Sequence, residues 1–407
     1  MVWAVKLFFV LGSLLVLQSV WSWVDGRRFL RMLRKARNAP PGSHTPPAAV
    51  IIPCKGMDVG FGENLDCFLN QDYPDYQVVF AVATAEDRAF QCLRRCVEER
   101  AAQSGILRPP ASLVVAGTSD LRGEKVNNLL HAVKAVPESA QVYVFADIDA
   151  APAQDWLRSL VAPLANPQAT VSTGFRWYLP GKGFVSRLRA AWDTSIATML
   201  GDHSRNFAWG GSMAIRAADF HKLGIAERYW TNTVSDDYAL TRAVREAGGK
   251  VIFVPRCLVA SREESSLRDF LRWSTRQIII TRVYAPQVWK LGFAASVFYS
   301  ATVSWGFIAL ALVWKATTPR LVVALILGII FLLGAAKGYI RSIVAREVFP
   351  REVSDGASCY WQLTVLVPWV MLGNFLAAAL SRRIEWRGTE YELLSPEKVR
   401  VVRRTRT

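Results

Sequence analysis

The chain has 407 residues, of which 52% are hydrophobic, and its mean hydropathy of +0.18 is high enough to argue against a purely soluble protein. Its net charge of +16 would suit nucleic-acid binding, but the basic residues cluster beside apolar segments and near the C-terminal end. We therefore interpret the charge as a contact with anionic lipid head groups, and we expect a membrane partner and no nucleic acid.

The first predicted element is an apolar helix over residues 2–24, which meets the ~20 residues needed to cross a bilayer. A cleavable signal peptide carries its positive charges before the apolar stretch, whereas here they follow it, so residues 1–25 are predicted to form a retained anchor. By the positive-inside rule, the amino terminus lies outside and the following domain is cytosolic. Residues 26–47 form a basic juxtamembrane segment and a Pro-rich linker, the basic residues being Arg27, Arg28, Arg31, Arg34, Lys35 and Arg37.

Residues 48–287 alternate short β-branched runs with helical patterns. This alternation predicts a Rossmann-like α/β domain with a mostly parallel sheet and helices on both faces. Ligands of such sheets bind at the carboxyl ends of the strands. The predicted strands are 49–53, 77–83, 112–116, 141–146, 169–173 and 250–254, and the predicted helices among them are 65–71, 87–103 and 125–135.

Three more apolar stretches, at 288–314, 321–340 and 360–380, make residues 288–381 a membrane or interfacial region. Four full crossings would place the basic tail, residues 382–407, outside, which the charge rule disfavours. A topology with one re-entrant or interfacial segment remains open. The stretch 181–200 is either an amphipathic helix on the membrane surface or an ordinary core helix.

Asp147 and Asp149 follow the apolar strand over residues 141–146. Side chains at positions i and i+2 of an extended segment point the same way, so both carboxylates can serve one hard cation, Mg²⁺ or Mn²⁺. Such a cation would bridge the phosphates of a ligand such as a nucleotide sugar. The alternative is that this Asp-x-Asp triplet only caps the next helix.

Asp236 and Asp237 open a later helical pattern. They are either helix caps, stabilised by free backbone N–H groups, or one of them is a general base that removes a proton from an acceptor alcohol. Arg272 and Trp273 lie farther on, and they are either a diphosphate clamp with an aromatic platform or a solvated arginine beside an interfacial tryptophan.

Taken in order, these residues resemble the inverting glycosyltransferases with a GT-A fold, and especially the ceramide glucosyltransferase family with its bacterial, hopanoid-associated relatives. The resemblance extends over nearly the whole chain. It implies transfer of one sugar from a UDP-sugar, with UDP-glucose as the expected donor, to the hydroxyl of a lipid such as ceramide. The reaction would invert the anomeric centre, use a divalent metal, and take place at the cytosolic face of the membrane.

The resemblance also implies individual roles. Asp147 matches the family's second acidic site, with Asp149 completing the metal motif, and Asp237 matches the presumed catalytic base. The family usually has Gln or Arg where this chain has Asp269, which departs from the usual phosphate clamp. The donor side would comprise Lys55, Glu86, Asp87, Lys125, Asp147, Asp236, Arg272 and Trp273, and the acceptor side His203, Trp209 and Gly211.

Three other functions share parts of this pattern. Processive polysaccharide synthases have the same acidic motifs and the Arg-Trp pair, but they normally carry more membrane helices. Transfer to a hopanoid or to diacylglycerol in place of ceramide would need the same donor chemistry. A non-catalytic membrane scaffold would retain only the nucleotide-binding fold.

Overall fold

The computed structural model describes residues 2–102, 109–353 and 356–404, which form two compact units. The helical unit comprises the residues up to Met32 together with Tyr178–Met199 and Arg262–Ser381. The sheet unit comprises Leu33–Trp177, Leu200–Ser261 and the residues from Arg382 onward.

A seven-stranded sheet forms the centre of the sheet unit, in the order β3-β2-β1-β4-β6-β5-β7. Parallel pairs join β1 to β2, β1 to β4 and β2 to β3, whereas β6 runs antiparallel to both β4 and β5. The predicted mostly parallel α/β sheet is therefore confirmed, and β6, which runs antiparallel to both of its neighbours, was not predicted. The strands are β1 (Ala48–Pro53), β2 (Tyr76–Val82), β3 (Ala111–Val115), β4 (Val142–Ala146), β5 (Ala169–Tyr178), β6 (Ser212–Arg216) and β7 (Lys250–Ser261).

Both faces of this sheet are covered, because its central strands are continuous apolar runs. In β1, Val50 and Ile52 belong to one hydrophobic core, and Ala49 and Ile51 belong to a second core on the opposite face. All four side chains are fully buried. Only the strand ends are therefore left for polar chemistry.

Among the described residues, the first α-helix continues through the basic cluster and the last is short and apolar. The three predicted helices at 65–71, 87–103 and 125–135 are confirmed as α2, α3 and α4, except that Gln103 lies outside the described residues. The helices are α1 (Val2–Asn38), α2 (Phe61–Leu69), α3 (Arg88–Ala102), α4 (Glu124–Lys134), α5 (Trp156–Val161), α6 (Phe184–Ala197), α7 (Ala217–Lys222), α8 (Asp236–Glu246), α9 (Leu267–Tyr284), α10 (Pro286–Leu312), α11 (Thr317–Val348), α12 (Cys359–Gln362) and α13 (Val367–Leu380).

Within the described residues, three helices are long and apolar enough to cross a membrane: Trp3–Asn38, Pro286–Leu312 and Thr317–Val348. The predicted apolar stretch 360–380 is divided into α12 and the 14-residue α13. At 1.5 Å per residue, α13 is about 21 Å long, which is shorter than the ~30 Å hydrocarbon core of a bilayer. The stretch 181–200 forms α6, whose Trp192 is fully buried, as expected of a core helix.

The C-terminal region, predicted only as a basic tail, forms a three-stranded antiparallel sheet in the sheet unit. Its strands are β8 (Arg383–Trp386), β9 (Thr389–Ser395) and β10 (Lys398–Arg404). Tyr391 and Leu393 of β9 are buried at 3% and 0% exposure. We call this sheet the C-terminal arm.

Candidate active site

The carboxylates of Asp147 and Asp149 converge at the end of β4. One guanidinium nitrogen of Arg176, Nη2, lies 2.9 Å from Asp149 Oδ1 and 3.6 Å from Asp147 Oδ2. One nitrogen therefore reaches both side chains. The extended geometry predicted for this triplet is not present, because β4 ends at Ala146 and Asp147–Ala150 form a turn closed by a hydrogen bond from Ala150 N to the Asp147 carbonyl at 3.2 Å. Arg176 lies in β5 and was not predicted to be at the site.

Lys125, in the first turn of α4, joins three segments of the sheet unit. Its Nζ lies 2.8 Å from Asp147 Oδ1 and 3.2 Å from Asp236 Oδ2, and it donates to the Gly210 carbonyl at 3.2 Å. Burial would lower the pKa of Lys125, but the carboxylates of Asp147 and Asp236 outweigh burial and raise it. The ammonium group is therefore a fixed positive charge between the two acidic sequence motifs.

The two carboxylates of the Asp-x-Asp triplet differ in proton affinity. Burial would raise the pKa of Asp147, but Lys125 and Arg176 overcome this effect and hold the pKa below its usual value. Burial raises the pKa of Asp149, and Arg176 offsets this only in part. Asp147 is thus the more firmly ionised of the two.

Asp236 has the most strongly shifted carboxyl of the site. Burial, opposed by Lys125, raises its pKa from the ordinary value of 3.8 to about 7. The folded state therefore binds more protons than the unfolded state between these values, so this group makes the protein less stable as pH rises from about 4 to about 7.

Asp236→Asn is expected to flatten this pH dependence, because the amide cannot ionise. The free energy of unfolding of the variant relative to the wild type should increase from pH 5 to pH 8, by at most about 1.4 kcal/mol per pH unit. Thermal unfolding of both detergent-solubilised proteins across this range measures the difference. Parallel pH profiles would contradict the assignment.

Asp237 is held at the start of α8 by three hydrogen bonds. Its Oδ1 accepts from the Ser235 hydroxyl and from Tyr238 N at 2.7 Å, and its Oδ2 accepts from Gly210 N at 3.3 Å. Ser235 is the N-cap residue of α8. Asp237 therefore has a local capping role, and the same contacts orient its half-buried carboxylate toward the turn at Gly210.

The Gly210-Gly211 turn lies directly against the acidic residues. The Gly211 carbonyl accepts a hydrogen bond from Asp147 N at 3.4 Å, and a Cβ at Gly211 would lie 2.8 Å from Asp147 Oδ2. The Trp209 ring lies under the Arg176 guanidinium, with the Arg176 Cζ 5.2 Å from the ring centroid. Trp209 and Gly211, which were predicted on the acceptor side, are thus beside Asp147.

Gly210→Ala is expected to damage the site, because the new Cβ would collide with Asp236 Oδ2 and lie 2.7 Å from Lys125 Nζ. We expect a loss of about 1–3 kcal/mol of stability from overpacking, together with a fall in activity. Gly62→Ala is the matched control, since a Cβ at Gly62 in α2 meets nothing within 4 Å. Equal melting temperatures of the two variants would argue against the close packing of this turn.

The loop after β1 carries Lys55. Its residues contact the start of α4 and Asp87, which precedes α3. The Lys55 ammonium lies 2.8 Å from Glu124 Oε2 at the start of α4. Asp87 Oδ1 accepts from Gly56 N and from Ala89 N, both at 2.8 Å, so Asp87 connects this loop to the first turn of α3. Glu86, which was predicted on the donor side together with Asp87, is exposed.

Residues 5–399 match the sequence profile of glycosyl transferase family 21. The chain belongs to this family. The predicted ceramide glucosyltransferase-like resemblance, with its GT-A α/β fold, agrees with this membership and with the sheet described above.

Several solved structures of glycosyltransferases are distantly similar to this family 21 chain. Mannosyltransferase PcManGT from Pyrobaculum calidifontis, in complex with GDP-Man and Mn²⁺, has 17% sequence identity and a TM-score of 0.48, with 91% of this chain and 98% of that chain covered. GalNAc-T7 with UDP, GalNAc and Mn²⁺ has 15% identity and a TM-score of 0.40, with 59% and 50% covered. Glucosyl-3-phosphoglycerate synthase from Mycobacterium tuberculosis has 16% identity and a TM-score of 0.37, with 62% and 82% covered.

The metal ligands of this family 21 chain were predicted to be Asp147 and Asp149. Among the described residues, no group of three or more His, Cys, Asp or Glu side chains is arranged to hold a metal ion. Two carboxylates nevertheless fit Mg²⁺ or Mn²⁺, because these ions commonly bind one or two carboxylates and complete their shell with phosphate oxygens and water. The Arg176 nitrogen already shows that one cationic group is within reach of both side chains.

The predicted clamp residues Arg272 and Trp273 belong to α9 of the helical unit. Trp273 packs against the rings of Tyr178 and Trp192 and against the guanidinium of Arg189. Arg272 is exposed, and the donor role of the pair stays a prediction.

Asp269, which departs from the family pattern, has a local role in α9. It accepts a hydrogen bond from the Ser266 hydroxyl at 2.5 Å, and its own N–H donates to Ser266 Oγ at 3.2 Å. This reciprocal pair resembles a capping box and stabilises the start of the helix. On the acceptor side, the half-buried His203 accepts from Arg205 N at 3.3 Å, and its predicted role is likewise untested.

Glu124, Arg176 and Ser235 of the sheet unit also contribute to the site and were not among the predicted residues. Arg176 had a signal in the sequence, because a charged residue within the apolar strand residues 169–178 needs a partner. Ser235 could have been found as the N-cap before Asp236. Glu124 had no such signal, since its partner Lys55 is 69 positions away.

Proposed function

We propose that this family 21 member transfers a single sugar from a UDP-sugar, with UDP-glucose as the expected donor, to the hydroxyl of a membrane lipid such as ceramide. The observation that carries the proposal is the Lys125 ammonium, which joins Asp147 to the Asp236-Asp237 helix start within one edge of the sheet. A site for a charged diphosphate and a carboxylate base would then lie side by side.

On the donor side, Asp147 and Asp149 would hold Mg²⁺ or Mn²⁺, which when bound neutralises charge on the departing diphosphate. Lys125 and Arg176 supply fixed positive charge beside these carboxylates. Lys55, Glu86, Asp87 and Asp236 would complete the donor site, with Arg272 and Trp273 acting as the clamp.

On the acceptor side, Asp237 would remove the proton from the lipid hydroxyl as its oxygen attacks the anomeric carbon and the bond to the diphosphate breaks. A single displacement of this kind inverts the anomeric configuration. Oδ1 accepts hydrogen bonds from Ser235 and Tyr238, while Oδ2 accepts only the longer bond from Gly210 N. We therefore propose that Oδ2 is the oxygen that takes the proton from the lipid hydroxyl. Trp209, Gly211 and His203 would line the acceptor side.

The membrane arrangement that we propose has three crossings, by α1, α10 and α11, with the amino terminus outside and the sheet unit in the cytosol. Three crossings return the chain to the cytosolic side, where the basic residues of the C-terminal arm satisfy the charge rule. The short α13 would then lie in the membrane interface. This arrangement agrees with the position of the arm in the sheet unit.

Cysteine labelling in sealed vesicles tests this topology. In a background that lacks the partly exposed native cysteines, single cysteines at Glu99 and Arg403 should react with an impermeant maleimide from the cytosolic side only. A cysteine at Lys315, between α10 and α11, should react from the opposite side only. Labelling of Arg403→Cys and Lys315→Cys from the same side of the membrane would contradict three crossings.

The activity is tested with purified protein in lipid nanodiscs, using radiolabelled UDP-sugars and a panel of ceramide, diacylglycerol and hopanoid acceptors. Thin-layer chromatography and mass spectrometry should show one added hexose in the wild-type reaction and none with Asp237→Asn. A ladder of longer products would indicate a processive synthase instead. Absence of product with every donor and lipid would favour a non-catalytic scaffold.

A further inference from the structure

The tip of the hairpin between β8 and β9 has an unusual backbone. Arg387 and Gly388 have φ angles of 45° and 78°, and Arg387 is the one non-glycine residue with positive φ among residues 2–102, 109–353 and 356–404. Two consecutive positive φ angles are typical of a tight type I′ hairpin turn, but the left-handed region is unfavourable for an L-residue with a long side chain. The side-chain contacts of Arg387 compensate for this conformation.

Those contacts are made with the loop that follows β1. Arg387 Nη1 donates to the Lys55 carbonyl at 2.7 Å, and Nη2 donates to Asp58 Oδ2 at 2.5 Å. Nη1 also lies 3.4 Å from Asp58 Oδ1, so the guanidinium and the carboxylate meet through two nitrogens and two oxygens. A planar, two-pronged pair of this kind fixes orientation as well as distance.

A second contact from the C-terminal arm closes a ring. The buried Tyr391 hydroxyl accepts a hydrogen bond from Glu124 N at 3.2 Å, and the Glu124 carboxylate holds the Lys55 ammonium at 2.8 Å. The arm therefore holds Lys55 from both ends, through its carbonyl with Arg387 and through its ammonium with Tyr391 and Glu124.

The loop that follows β1 is also connected to the Asp-x-Asp segment. Asn64 in α2, the helix that follows this loop, donates to the Ile148 carbonyl at 3.0 Å. Parallel β1 and β4 are neighbours, so the loop and the carboxylates lie at the same edge of the sheet. Burial would lower the pKa of Arg387, but Asp58 and then Asp149 and Asp147 raise it, because the guanidinium lies in the field of the Asp-x-Asp carboxylates.

We propose that the C-terminal arm is part of the donor site, and that Arg387 is a positioning residue that presents Lys55 to the diphosphate of the nucleotide sugar. This inference rests on the proposed function and deepens it. Arg387 acts through Lys55 and Asp58, so its loss should weaken donor binding more than it slows the chemical step.

Three variants of the full-length protein test the proposal: Arg387→Met, Arg387→Lys and the matched control Arg400→Met. Arg400 belongs to the same arm, but it pairs with Glu392 inside the arm and not with the β1 loop. Hydrogen exchange of residues 54–60 in the ligand-free protein and calorimetric binding of UDP with Mn²⁺ are measured for each, followed by KM and kcat with the active donor.

We expect Arg387→Met to accelerate exchange in residues 54–60 and to raise the Kd for UDP and the KM for the donor by about tenfold, which corresponds to about 1.4 kcal/mol. The kcat at saturating donor should stay within about threefold, a difference of less than 1 kcal/mol. Arg387→Lys should recover part of the affinity, since lysine can make only one of the contacts, and Arg400→Met should match the wild type.

Two outcomes separate this inference from the proposed function. If the wild type binds UDP and Arg387→Met binds it equally well, the positioning role is wrong while the proposed function stands. If the wild type binds no UDP with Mn²⁺, both are wrong. An equal loss of affinity in Arg400→Met would also overturn the inference, because the effect would then reflect general damage to the arm.

Discussion

Asp237→Asn is expected to lower kcat by about 10²- to 10⁴-fold, which is the usual contribution of a general base. The amide oxygen can still accept the hydrogen bond from Tyr238 N, so the start of α8 should keep its geometry. Donor affinity should change little, because Lys125 and the Asp-x-Asp carboxylates remain. A fall in kcat without a matching rise in the Kd for UDP is therefore the pattern that identifies a base.

Asp219→Asn is the matched control for this experiment. Asp219 also lies in the first turn of a helix of the sheet unit, but it pairs with Arg216. This variant should retain wild-type kcat. If Asp237→Asn kept full activity in correctly folded protein, Asp237 would not be the base, and Asp236, whose pKa is about 7, would become the first alternative.

Lys125→Met is expected to lower both stability and donor binding. Its removal leaves the carboxylates of Asp147 and Asp236 facing one another without the cation that now lies between them. Breaking a buried ion pair by removing one partner typically costs about 3–5 kcal/mol, and we expect the partly accessible Asp147 to reduce this toward the lower figure. Binding of UDP should weaken as well, because a fixed positive charge beside the phosphates is lost.

The loss of stability in Lys125→Met should depend on pH. Without the ammonium, the two carboxylates take up protons more readily, and protonation relieves their repulsion. The melting temperature of the variant should therefore be closer to that of the wild type at pH 5 than at pH 8. Lys134→Met, an exposed lysine at the other end of α4, is the control and should be neutral at both pH values.

The sequence was sufficient for the parallel half of the sheet and for the acidic residues that follow β4. Strands β1 and β4, and β2 after Gln77, are uninterrupted apolar runs, which is typical of strands buried on both faces. Strand β6 was missed because its five residues, Ser212–Arg216, are too few for a clear periodic pattern.

The C-terminal arm was missed for a different reason. Residues 398–401 alternate basic and apolar side chains, as expected of a strand with one buried face, but the basic residues were interpreted only as a membrane contact. The partners of Arg176 and Arg387 are set by tertiary folding, and periodicity does not reveal them. The high apolar content of residues 360–380 also gave no sign that the helix is interrupted before Val367. The predicted span is therefore a helix of only 14 residues.

The position of the arm has a consequence for biosynthesis. Lys55 and Arg387 are 332 positions apart, and α10 and α11 lie between them in the chain. A ribosome therefore finishes the seven strands of the large sheet, and then both apolar helices, before the arm exists. The nascent protein can assemble its sheet early, but the loop that carries Lys55 gains its last two anchors only after α10 and α11 have been synthesised.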